Sequence, residues 1–284
     1  MRSPRPSSPV STCPTVRRLS VDVHATAPKY WFRGSPILTS MAYAMSAIFP
    51  VGEPFFVKAV KAAVPHIRSP ETQAAARAFM AQEAQHAHLH TQYNDRATAD
   101  GFRVGPLTER LAPAAERVQR TFSLRSQLAI TAAFEHFTAI LSTQILGEPG
   151  FMGDAPTPHG ELWRWHAAEE AEHKAVAFDV LADVGPSYAR RIAWYLLVSA
   201  SFTCMTGLRM LYLMWHDGTV FRLGHYASAL RWLVCSSGIV STVLPRWLAY
   251  LKPSFHPDDH DDSALIEAWE LEWAGPADAL GQAS

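Results

Sequence analysis

Two segments of the chain carry glutamate and histidine at spacings that suit a metal. The longer is His166-Ala167-Ala168-Glu169-Glu170-Ala171-Glu172-His173, and the shorter is Gln82-Glu83-Ala84-Gln85-His86. No Gly or Pro interrupts Glu161–Val184, so that stretch is expected to be helical. His166, Glu170 and His173 then stand at i, i+4 and i+7 and share one face. Two Glu-x-x-His segments on separate helices are the two halves of a dinuclear carboxylate site in a four-helix bundle.

Each half also needs a further acid from a preceding helix. Glu135 supplies one inside the apolar run 129–141, where an isolated charge must be satisfied by something. Glu53 supplies the other, although Pro50 and Pro54 bracket it and leave its direction open. Glu53, Glu83, His86, Glu135, Glu170 and His173 thus form the expected core. Four carboxylates carry a charge of −4, which two divalent cations balance. Without cations, burying them would cost several kcal/mol each, of the order expected for unpaired ions. Imidazole with carboxylate suits iron or manganese in an open site. His166 is either a third imidazole on the metals or an outer or core histidine. His90, one turn beyond His86, is a candidate for an outer contact, as are His136 and Glu169. Of Glu169 and Glu172, which flank Glu170, at least one is expected to be solvated.

These residues must be positioned by helices. Residues 36–64 read as a helix that Pro50, Gly52 and Pro54 kink or interrupt. Ser69-Pro70-Glu71 supplies an N-cap, a first-turn proline and an early acid, so a helix should run from there through Glu83 and His86 to about Arg96. Thr108–Arg120 reads as a short amphipathic crossover. Ser123 should cap a helix that passes through Glu135 and ends near Gly147, and 147–160 is a Gly/Pro loop. The order is helix with Glu, helix with Glu-x-x-His, crossover, and the same pair again. The expected fold is all-α, a ferritin-like four-helix bundle with a dinuclear site, followed by additional apolar helices at the C-terminal end.

The expected domain plan is a disordered tail over 1–28, a helical domain over 29–255, and a linker with a last helix over 256–284. Ile192–Leu208, continued by Leu211–Trp215, and Trp232–Leu244 are apolar. A spanning helix needs about 20 apolar residues, so these read first as buried helices covering the bundle. A peripheral contact with a membrane is the second reading and true spanning the third. Leu265–Trp273 reads as an amphipathic helix.

A net charge of −1 and the lack of a long basic run give no reason to expect nucleic acid. Among three cysteines there is no Cys-x-x-Cys, hence no disulfide framework, and Cys204 and Cys235 are expected to be small buried hydrophobes. The first twenty residues hold arginines but no apolar core segment, so the expected location is cytoplasmic, with membrane association as the qualifier.

At Phe49-Pro50-Val51-Gly52-Glu53, Gln82–His86, Phe134-Glu135-His136 and Trp165–Lys174 the sequence resembles a bacterial ferritin-like family known as predicted metal-dependent hydrolases. The His-x-x-x-Glu-x-x-His helix is also similar to that of di-iron arylamine N-oxygenases. That resemblance implies a seven-ligand set of Glu53, Glu83, His86, Glu135, His166, Glu170 and His173 around two iron ions, with manganese or a mixed Fe/Mn pair as variants. The expected function is a non-haem di-iron oxygenase that uses O2 to oxidise a small hydrophobic or aromatic substrate. No flavin, nicotinamide or iron–sulfur motif is present, so electrons would come from an external donor; a homodimer is a further expectation. The alternative is a dinuclear metal-dependent hydrolase. An iron-handling protein and a membrane-peripheral structural protein are weaker readings.

Overall fold

The computed structural model describes residues 13–147, 151–152, 155, 158–185, 187–235 and 239–278. Among them every regular element is helical, as expected: α1 (Pro36–Ser46), α2 (Phe49–Ala63), α3 (Pro70–Ala99), α4 (Gly105–Thr121), α5 (Leu124–Gly147), α6 (His159–His173), α7 (Val176–Val184), α8 (Tyr188–His216), α9 (Leu223–Cys235), α10 (Ile239–Ala249) and α11 (Ser263–Asp278). Helices α2, α3, α5 and α6 form the bundle: α2 lies against α3, α5 against α6, and the pairs meet through α2–α5 and α3–α6.

Local sequence explains most boundaries. The prolines split residues 36–64 at Ala47–Ile48, and α2 takes Pro50 in its first turn, where a missing N–H costs nothing. Pro54 lies inside α2 next to Glu53. Ser69 Oγ accepts from the Thr72 amide and opens α3, which runs to Ala99 before Gly101 turns the chain at φ +92°. Ser123 precedes α5, its hydroxyl donating to Ser126 Oγ at 3.4 Å.

Other expectations are corrected by tertiary contacts. The stretch 161–184 is two helices, broken at Lys174–Ala175 without Gly or Pro. Lys174 Nζ is drawn to Asp262 Oδ2 at 2.7 Å and to the His260 carbonyl, tying the break to the C-terminal segment. Residues 13–28 belong to the expected tail, yet they are bonded onto the bundle. The Thr15 amide donates to Glu172 and the Arg17 amide to Glu169. Residues 1–12, most of the 148–157 loop, Pro186 and 279–284 lie outside the described residues.

The apolar C-terminal half is also not the buried cover expected. Helix α8 packs one face on α1 and α5, while Leu208 and Trp215 on its other side are 53% and 61% exposed. It is long and apolar enough to cross a membrane by length and composition. The segment 232–244 is divided between α9 and α10, and Pro245, expected to end it, sits inside α10. Cys204 and Cys235 are exposed rather than buried.

Candidate metal centre

All four bundle helices send a carboxylate to one place. Glu53 comes from α2, Glu83 and His86 from α3, Glu135 from α5, and His166, Glu170 and His173 from α6. None of the seven residues is more than 3% exposed. They fall into two groups able to hold an ion, Glu53, His86, His166 and Glu170 in one and Glu83, Glu135 and His173 in the other.

Glu170 joins the groups. Its Oε1 lies 2.9 Å from His166 Nε2 and 3.7 Å from His86 Nδ1, whereas its Oε2 lies 3.4 Å from His173 Nε2. His173 Nε2 in turn lies 3.2 Å from Glu83 and 3.1 Å from Glu135, and His166 Nε2 is 3.9 Å from Glu53. A carboxylate facing both ways is the arrangement that bridges two ions.

The donor atoms fit cations. Both oxygens of Glu53, Glu83 and Glu135, Oε2 of Glu170, Nδ1 of His86 and Nε2 of His173 are buried without a hydrogen-bond partner. Native interiors rarely leave such atoms orphaned, and so many in one spot call for a charge to receive them. Burial, with the neighbouring carboxylates, pushes Glu53 and Glu135 well above the usual carboxylate range, and burial raises Glu83 as well. Burial opposes the Glu170 charge too, but His173 and His166 outweigh it and hold that carboxyl low. His173 is raised, since Glu170 and Glu135 outweigh its burial. Without cations, therefore, the pocket rejects most of its negative charge; divalent ions invert that balance.

Each imidazole is oriented from behind. His86 Nε2 meets Glu169 Oε2 at 3.0 Å, His173 Nδ1 meets Gln82 Oε1 at 3.0 Å, and His166 Nδ1 meets His90 Nε2 at 2.8 Å. The last contact continues outward. Ser46 Oγ donates to Asn94 Oδ1 at 2.7 Å, so at 2.8 Å it accepts from His90 Nδ1. That makes His90 Nε2 the acceptor and His166 Nδ1 the donor, and leaves His166 Nε2 turned to Glu170 Oε1 in the centre. Burial and the facing His166 keep His90 well below the usual imidazole range, consistent with its Nε2 accepting. Outer contacts of this kind set tautomer and ring direction in metal sites.

All seven expected donors are thus brought together, including Glu53, which the inward face of α2 delivers between its two prolines. Of the outer candidates, His90 and Glu169 contact donor histidines and His136 does not. One residue past Glu135 on α5, His136 is rotated by about 100°. Its Nε2 bonds the Arg246 carbonyl at 3.1 Å, and its ring lies against Tyr250. Neither flanking glutamate is free in solvent: Glu169 is fully buried, and Glu172 is bonded by Arg17. Gln82, Ser46, Asn94 and Arg17 went unnoticed at the level of sequence, and Gln82 had only its place beside Glu83 to mark it.

This geometry agrees with the family comparison. The chain belongs to the family of predicted metal-dependent hydrolases, whose model matches residues 15–261. No curated protein and no solved structure matches it. The matched range takes in the Thr15–Arg17 strap as well as all seven candidate donors, so this member of the predicted metal-dependent hydrolase family is a metal-dependent protein with its donor set buried in the bundle.

Proposed function

We propose that the chain is an enzyme built on a dinuclear metal centre, with Glu53, His86, His166 and Glu170 around one ion and Glu83, Glu135, His173 and Glu170 around the other. The observation that carries this reading is the set of buried, partnerless donor atoms divided into two groups by Glu170. When bound, a pair of iron ions would supply O2 activation, and a pair of redox-inactive ions a nucleophilic water.

Oxidation of a small hydrophobic substrate with O2 is one reading, supported by the apolar residues beside the candidate donors. The residues around a space of about 20 Å³ beside His166 and Glu170 include the apolar Met45, Phe49, Leu141, Ile145 and Trp163 and the polar Thr138 and Ser142. That is room for a molecule of one or two heavy atoms. The aromatic rings of Phe49 and Trp163 stand against His166 and exclude bulk water. Electrons would then come from a separate donor protein or cofactor. Hydrolysis is the other reading, and the family's description supports it more directly.

Metal analysis of protein purified without oxygen, then O2 uptake by the reduced protein, separates the two. Two irons per chain with O2 consumption supports oxidation. Two zinc or manganese ions with no O2 uptake supports hydrolysis, and no stoichiometric metal refutes both.

A further inference from the structure

On the side of α2 and α5 away from α3 and α6 there is a cavity of about 490 Å³, roofed by α4 and walled by α8. That volume is within the ~300–1,000 Å³ that holds a small organic molecule. Its walls include Phe56, Phe134, Trp194 and Met205, and the polar side chains lining it among the described residues are Ser201 and Arg209. Ser201 already donates to the Val198 carbonyl. Arg209 is half-buried, and burial lowers its pKa with no facing carboxylate to oppose that.

Two patterns show that the cavity is built rather than accidental. The roof helix α4 turns Leu111, Ala114, Ala115 and Val118 toward it, at i, i+3, i+4 and i+7, so its apolar stripe lines the space while Val118 also packs on the core. On α8 the lining recurs from Trp194 through Leu197, Ser201 and Met205 to Arg209, a single helix face. Fifteen steps of 1.5 Å from Trp194 to Arg209 make that stripe about 22 Å long. An acyl chain fills half of a hydrocarbon layer ~30 Å thick, about 15 Å. The stripe is long enough for one such chain, with a guanidinium at its end.

We propose that this cavity binds one long-chain acyl carboxylate, its chain along the α8 stripe under α4 and its carboxylate on the Arg209 guanidinium. Gly52 and Phe134 line the cavity directly before Glu53 and Glu135 in sequence, so the cavity shares α2 and α5 with two candidate metal donors. Only a role of the acid as substrate rests on the reading above; binding itself does not require the metals.

The test is displacement of a fluorescent fatty acid by hexadecanoate from the full-length protein, both as purified and after chelation. Saturable binding of one acid per chain is expected in both preparations, so a failure of the metal reading leaves this result intact. Arg209→Gln should weaken hexadecanoate about tenfold, the loss of one charged hydrogen bond, and leave hexadecanol within about twofold. Ala115→Phe, which fills the cavity from the exposed α4, should abolish both while circular dichroism and metal content stay unchanged. The proposal is overturned if uptake is non-saturable, if Arg209→Gln binds hexadecanoate as the parent does, or if a folded Ala115→Phe still binds. It is equally overturned if both variants lose binding to anionic phospholipid vesicles while free acid binding is absent, which would make the region a membrane contact.

Discussion

The centre of the bundle and the outer face of α8 reverse the usual distribution of polarity. Four glutamates and three histidines lie inside with almost no exposure, while Leu196, Leu208, Leu211 and Trp215 face outward. The inner departure is explained by the donor atoms themselves, which lack hydrogen-bond partners and come in two groups. The outer one has no such internal account, since an apolar face can await a lipid, a protein or nothing. Buried charge therefore says more about function here than exposed apolar surface does, because the cost of leaving it unpaired is greater.

The strongest challenge to this contrast is at Glu170, whose oxygens face both groups. Glu170→Ala should lower metal content from two ions per chain and reduce turnover to background, measured by elemental analysis beside an activity assay. Wild-type stoichiometry in that variant would remove the bridging role. Chelation should be next in size, lowering the melting temperature by roughly 10 °C if about 3–5 kcal/mol of charge compensation is lost. The pH dependence of the chelated protein has a definite sign. Burial and the neighbouring carboxylates hold Glu53 and Glu135 above the ordinary glutamate value of 4.5, so their contribution is fully present below pH 4.5 and lost as pH rises. His173, raised above 6.5, adds loss of the same sign, and Glu170 opposes it only below 4.5. Melting curves of the chelated protein should therefore fall from pH 5 to pH 8, and a rise would contradict the buried-acid account.

The outer contacts rank third. Glu169→Ala and Gln82→Ala should each weaken metal affinity by about 10–100-fold, whereas His136→Gln should leave it unchanged. Competition with a chromogenic chelator reads both, and equal effects at all three positions would mean that only general stability is being measured. The smallest effect is expected on the exposed face, where Trp215→Ser should change stability by no more than about 0.5 kcal/mol in a urea titration and leave metal content intact. A large loss there would mean that a partner covers α8.

How much of the centre could be read from sequence depended on how local each relation is. The pairs Glu83/His86 and Glu170/His173 are visible because one helical turn separates their members, and Glu135 because its neighbours are apolar. Helix periodicity likewise gives the amphipathic α4 and the start of α3 at Ser69. Gln82 meets His173 across 91 residues, and Arg17 meets Glu169 across 152, so no spacing rule could find them. The break between α6 and α7 was hidden for the same reason, since it coincides with a Lys174–Asp262 contact rather than a Gly or Pro.

From the order of residues alone came the helical class, the four acid-bearing segments and the donor types, because 3.6-residue periodicity and side-chain chemistry act within a few turns. The folded chain decided which nitrogen of each imidazole faces inward, that Glu170 lies between two groups, that His136 points elsewhere, and that α8 leaves one apolar face exposed. Those outcomes depend on how helices far apart in sequence rotate about their axes and pack. A rotation of one residue, about 100°, separates Glu135 in the centre from His136 outside it.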